Sequence, residues 1–190
     1  MRREQQILQA AEDLFFEKGF DATGVDAIAE RAGITGGAIY RHFSSKDEIL
    51  GVLFDHVIDA ALEQLPVLSD DPDHDLQALI QAHVSIAMKH PKLAGIWLRE
   101  QRSLADPYRR NYLRREKRYS DRWRTCLERR YPGRSREDLS AAIRAVHALT
   151  LSDSARPARA RQSAHLEALL VEMAVLCLAA LESQPVEALA

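Results

Sequence analysis

The sequence predicts an all-α protein. Two observations carry that reading: apolar residues recur at three- and four-residue spacing along almost all of the 190-residue chain, and no segment alternates β-branched and polar residues. A third is punctuation, because prolines and Gly19, Gly33 and Gly133 fall at the ends of the periodic segments. With 46% hydrophobic and 28% charged residues, the chain can bury a real core in one large or two small domains.

Taken in order, a first helix is expected from Arg3 to Lys18, with Ile7, Leu8, Ala11, Leu14 and Phe15 on one face and Gly19 as its stop. A second, Val25 to Ala32, carries Val25, Ile28 and Ala29 and ends at Gly33; a third opens near Thr35 and closes near His42. The fourth begins at Ser45-Lys46-Asp47-Glu48 and runs to about Leu65. There the Ser45 hydroxyl can cap the Glu48 amide and the Glu48 carboxylate can return to Ser45. Further helices are expected at 73–89, 92–104, 106–131, 136–153 and 161–183, bounded by Pro66, Pro72, Pro91, Pro107, Pro132-Gly133 and the loop around Pro157. That makes about nine helices, divided into a headpiece of residues 1–45 and a helical body of 46–190.

The chain contains no run of about 18 apolar residues, and Met1 is followed by Arg2, Arg3 and Glu4 rather than by the apolar core of a signal peptide. A cytoplasmic protein without membrane contact is expected. Cys126 and Cys177 stand far apart with no spaced histidine beside them, so neither a disulfide framework nor a metal site is indicated, and no cofactor is expected. The net charge of −2 hides an asymmetry: residues 92–136 hold fifteen Lys or Arg against five acids, whereas residues 1–50 hold six against nine.

The stretch GITGGAIYRHFSSKDEI, residues 33–49, places three glycines at the opening of a short helix, where each disfavours helix by up to about 1 kcal/mol relative to alanine. Helix, tight turn through Gly33, helix is the spacing of a helix-turn-helix over about 24–43, whose second helix enters the major groove of DNA. In that setting the small residues have a purpose. Thr35, Gly36, Gly37 and Ala38 let unpaired backbone amides approach phosphates and base edges, while Tyr40, Arg41 and His42 supply reach. Lys46, in the first turn of the next helix, can meet a flanking phosphate.

These residues resemble the headpiece of the TetR family of bacterial repressors over about Ile7 to Leu50, through AAEDLFFEKGFDATGVDAIAERAGITGGAIYRHFSSKDEIL. The shared features are the Phe-x-x-x-Gly-Phe end of the first helix, Thr23, Ile28-Ala29, Ala32-Gly33, Tyr40, Phe43 and Lys46. The resemblance implies phosphate contacts from Thr23 and Lys46, backbone or base contacts from Tyr40 and His42, and groove approach by Thr35 to Gly37. Gly37 departs from the family, many of whose members carry a longer residue there. A homodimeric repressor is implied, with a body that dimerises, binds a small-molecule effector and is released by it from a palindromic double-stranded operator.

In the body, His83 shares a face with Leu76, Leu79, Ile80 and Ala87, and reads either as a core histidine or as a ligand contact. Tyr108, Tyr112, Tyr119, Trp123 and Leu127 form a stripe with Glu116 among them; Trp97 joins Leu93, Ile96 and Leu104 on the preceding helix. Ordinary core and the wall of an effector pocket are both open for these rings. The basic block Arg109, Arg110, Arg114, Arg115, Lys117, Arg118 and Arg122 reads as a solvated face or as an anion-binding rim for a hydrophobic or acyl-CoA-like effector. The segment Ala164–Leu181 is apolar around most of its circumference and needs cover on two sides, which a two-fold bundle of the last two helices supplies. An effector-independent DNA-binding regulator is the alternative. An all-α enzyme is a third reading, but no nucleophile and base, phosphate loop or metal cluster stands at recognisable spacing.

Overall fold

Helices form where the periodicity places them in the computed structural model, which describes residues 2–154 and 163–182. Among these residues there is no strand. Helix α1 (Arg3–Lys18) buries the predicted face together with Ala10. It stops at Gly19, whose φ of 86° suits a residue without Cβ and whose N–H returns to the Phe15 carbonyl at 3.0 Å. Helices α2 (Val25–Arg31), α3 (Gly36–Ile39) and α4 (Lys46–Glu63) follow.

Two local expectations need correction. Helix α3 ends at Ile39 rather than near His42. The chain then continues as a turn in which the His42 and Phe43 amides both reach the Ile39 carbonyl, at 2.8 and 3.0 Å. A helix opening on two glycines holds only one turn. At the start of α4 the Ser45 hydroxyl accepts the Glu48 amide at 3.1 Å as expected, but the Glu48 carboxylate takes the N–H and hydroxyl of Ser44 instead of returning to Ser45.

The rest is α5 (Pro72–Lys89), α6 (Pro91–Glu100), α7 (Tyr108–Arg130), α8 (Arg136–Leu151) and α9 (Leu166–Ala179), closed by a 3₁₀ turn at Ala180–Glu182. Helix α6 stops four residues short of the expected 104. The expected ends of α9 at 161 and 183, and the loop around Pro157, lie outside the described residues.

Two compact units emerge, and they cut the chain differently from the expected 45/46 division: residues 1–60 with 90–116, and residues 61–89 with those from 117 onward. In the first unit α6 packs on α1. Lys92 pairs with Asp13, and Arg99 donates to the Phe16 carbonyl at 2.8 Å with its guanidinium 5.3 Å from the Phe16 ring. Gly51 in α4 is required by α7, because a Cβ there would lie 2.8 Å from the Cβ of Tyr108.

In the second unit α5, α8 and α9 pack mutually through Leu79, Ile80, Val84, Ile143, Val146, Leu170, Ala174 and Leu178. Asp75 is buried at the head of α5 and accepts the Ser69 amide at 2.9 Å, the Ser69 hydroxyl at 2.8 Å and the Arg129 guanidinium. Burial alone would raise its pKa, but these hydrogen bonds outweigh burial and hold the carboxyl below its ordinary range. Among the described residues no helix is long and apolar enough to cross a membrane.

Candidate functional site

The headpiece is assembled from local hydrogen bonds and a small apolar core. Ala32 and Ile34 donate to Ile28 and Ala29 at 2.9 Å each, and Gly33 between them turns the chain at a φ of 67°, where a side chain would be strained. Ile28, Ala29, Ile39 and Phe43 are buried and fix α3 against its predecessor. The polar residues of the turn and α3 consequently face out: Thr35, Gly37, Tyr40, Arg41 and His42 are exposed, Tyr40 by 60%.

The glycines now separate in role. A Cβ on Gly36 would meet Asp26 Oδ1 at 2.6 Å, so Gly36 makes room for its own neighbour. A Cβ on Gly37 would meet nothing within 4 Å. Internal packing therefore gives no reason for glycine at 37, and its open backbone remains available to an external surface.

Two residues that the resemblance assigned to phosphate are held inside the headpiece. Thr23 is 1% exposed, and its hydroxyl donates to the Gly19 carbonyl at 2.7 Å, closing the end of α1. That hydroxyl is spent on the fold and is not available to a phosphate. Lys46 is half-buried, donates to the Phe20 carbonyl at 2.7 Å and places its ammonium 4.1 Å from the centre of the Phe20 ring. Its charge is thus delivered to the α1–α2 turn.

The candidate effector residues fall into two groups. Trp97, Tyr108 and Tyr112 belong to the first unit, where Tyr112 packs on Phe54 with centroids 5.5 Å apart and accepts the Trp97 indole N–H. His83, Tyr119 and Trp123 belong to the second and converge with a residue that periodicity did not single out, His147. The imidazoles of His83 and His147 stack at 4.4 Å with Trp123 edge-on to both, and His83 Nδ1 lies 2.8 Å from the Tyr119 hydroxyl. His147 could have been found by the criterion that picked His83, since it follows Ile143 by four residues on the apolar face of α8.

Polar satisfaction distinguishes the groups. The Trp97–Tyr112 pair satisfies its donor, whereas the Nε2 atoms of His83 and His147 and the indole nitrogen of Trp123 are buried without a partner among the described residues. Each such atom costs about 1–3 kcal/mol. Burial, with mutual repulsion from His147, pushes His83 well below its ordinary value; burial lowers His147 to about 4. Both rings are therefore neutral near pH 7.

The basic block divides as well. Arg115 pairs with Asp55 and Asp59 at 2.9 and 3.3 Å, Arg122 donates to the Pro66 carbonyl at 3.0 Å, and Arg129 and Arg130 bind acids of α5. Arg109, Arg114 and Arg118 remain exposed. Among the described residues no three His, Cys, Asp or Glu side chains gather to hold a metal ion, and both cysteines are free thiols.

A glycine turn that locks a short helix against its predecessor, with polar groups outward, defines a helix-turn-helix nucleic-acid-binding headpiece on an all-helical body. Comparison with known proteins agrees: the family model for bacterial regulatory proteins, tetR family, matches residues 7–53, and that for the tetracyclin repressor-like C-terminal domain matches 69–155. The chain belongs to the TetR family. Over 51 residues it is 47% identical to the HTH-type transcriptional repressor Rv3405c of Mycobacterium tuberculosis, covering 27% of each protein. It is 32% identical over 114 residues to the repressor KstR2 of the same organism, covering 58% of this chain and 57% of KstR2. The TetR family regulator PfmR from Thermus thermophilus superposes with a TM-score of 0.72 at 29% identity, covering 91% of this chain and 97% of that one. The curated relatives are matched over 27% to 57% of their own length.

Proposed function

We propose that this protein is a transcriptional repressor that binds a palindromic DNA operator as a homodimer and is released by a small-molecule effector. The outward presentation of Thr35, Gly37, Tyr40, Arg41 and His42 over a buried Ile39–Phe43 floor carries the DNA reading, because it offers both backbone and side chains to a groove. Repressor function in the named relatives supports the direction of regulation. Lys46 serves DNA by holding the α1–α2 turn, and a phosphate contact from its ammonium requires exchange of the Phe20 carbonyl for the phosphate.

The two-fold interface is assigned to α8 and α9. Helix α9 buries Leu170, Ala174 and Leu178 on one side and leaves Leu169, Met173 and Leu176 exposed on another, by 46%, 40% and 65%. A row of three large apolar side chains with nothing over it is what a second copy would cover. The effector is assigned to the His83, Tyr119, Trp123 and His147 cluster, whose unpaired polar atoms the Trp97–Tyr112 group lacks.

Selection from a random duplex library, followed by gel shift at several salt concentrations, tests the reading. A palindromic sequence bound with strong salt dependence is expected, and Tyr40→Ala with Arg41→Ala should weaken it without altering the circular dichroism spectrum. Recovery of no sequence above background overturns it.

A further inference from the structure

The geometry points to a binding site for an uncharged oxygen acceptor, a ketone or ester carbonyl on an otherwise apolar molecule, at the stacked imidazoles of His83 and His147. The assignment deepens the effector reading above and rests on it, naming the chemistry that the site selects.

The cluster draws on three helices of one compact unit: His83 from α5, Tyr119 and Trp123 from α7, and His147 from α8. A neutral imidazole carries one N–H and one lone-pair nitrogen. With the Tyr119 O–H donating to Nδ1 of His83 at 2.8 Å, the proton of that ring sits on Nε2, which becomes a donor. The Trp123 indole nitrogen is a donor by its nature. Both are buried without an acceptor among the described residues, and His147 Nε2 is equally unpaired. Native interiors hold few unpaired polar atoms, and several in one ring cluster mark a place where a partner arrives from outside the chain.

The sign of the cluster decides what that partner is. A carboxylate placed here would need a cation, and the nearby guanidinium groups of α7 are engaged elsewhere: Arg122 on the Pro66 carbonyl and Arg129 on Asp75 and the Ser69 carbonyl. An uncompensated buried anion is disfavoured far more strongly than a neutral carbonyl that accepts an N–H. A pure hydrocarbon would leave the nitrogens unpaired. Burial keeps both imidazoles neutral, which suits the same class. The rings around the donors supply the apolar surface such a molecule needs.

The test uses the full chain and three probes on one frame, 2-tetralone, tetralin-2-carboxylate and tetralin, with 2-decanone and decanoate as a second frame. Thermal unfolding and ¹⁵N spectra of labelled histidine are read for the unsubstituted protein. Emission of Trp123 is read in Trp97→Phe, which leaves it the sole tryptophan. At least one ketone should bind tenfold or more tightly than its carboxylate or hydrocarbon counterpart and shift the Nε2 resonance of His83 or His147. His147→Phe, which keeps a ring in the stack, should erase the preference while leaving the melting temperature of the unliganded protein unchanged or higher, as expected when an unpaired nitrogen is removed. Tighter binding of a carboxylate, equal binding of ketone and hydrocarbon, or no response to any probe overturns the assignment. Duplex binding measured in parallel keeps the two readings apart: a protein that binds its operator and ignores ketones refutes this site alone.

Discussion

Glu100 of α6 accepts the backbone N–H of Phe20 at 3.1 Å, and the Phe20 carbonyl accepts Nζ of Lys46 at 2.7 Å. One peptide segment at the end of α1 is therefore held by α6 on one side and by α4 on the other. Ser103 steadies the arrangement by donating to Glu100 Oε2 at 3.0 Å. Glu100→Ala should lower the unfolding free energy by about 1–3 kcal/mol and weaken operator binding, because the turn that carries Lys46 loses its anchor. Glu100→Gln retains an acceptor oxygen and should recover most of both. Denaturant unfolding and gel shift on the two variants check this, and wild-type behaviour of Glu100→Ala would remove the anchor.

At Gly37, stability and binding should move in opposite directions. With nothing within 4 Å of a Cβ there, alanine meets no neighbour and should stabilise α3 by up to about 1 kcal/mol. The same methyl stands between the backbone and the groove, so operator affinity should fall about tenfold. At Gly36 the gain should be smaller, since a Cβ must displace Asp26 Oδ1. Unchanged affinity in Gly37→Ala would show that close backbone approach is not required.

The stacked imidazoles set a stability profile in mild acid. In the unfolded chain histidines titrate near pH 6.5, whereas burial holds His147 to about 4 and His83 well below its ordinary value in the native state. Between these limits the unfolded chain binds protons that the native protein does not. Stability should accordingly fall as pH is lowered from about 6.5 toward 4, by roughly 3 kcal/mol from His147 alone. Urea unfolding at half-unit pH intervals should show the slope, and His147→Phe should flatten it.

Helix α9 offers a contrast between two leucines adjacent in sequence. Leu170 is 4% exposed and Leu169 is 46% exposed. Leu170→Ala should destabilise the unit by about 2–5 kcal/mol through the cavity it leaves. Leu169→Glu with Leu176→Glu should leave the helical signal intact and convert the dimer to a monomer in light scattering. A dimer that survives the double charge places the interface elsewhere.

Much of the fold was legible because it follows from spacing within a few residues. The end of α1 at Gly19, the turn at Gly33 and the Ser45 cap each depend on neighbours closer than five positions. The helix-turn-helix was legible for the same reason, its buried Ile28, Ala29, Ile39 and Phe43 falling at helical spacing around one turn.

Residue types and periodicity determined that the chain is helical, where its helices begin and which headpiece residues face outward. Only the tertiary structure decided the use of groups that a one-dimensional pattern leaves equivalent. It committed Thr23 to the Gly19 carbonyl and Lys46 to the Phe20 carbonyl, gave Arg129 to a buried Asp75, and brought His147 against His83. A long polar side chain can satisfy itself equally well in water, on a phosphate or on a backbone carbonyl. Which of these it meets depends on helices dozens of residues away, and that long-range proximity has no local period to betray it.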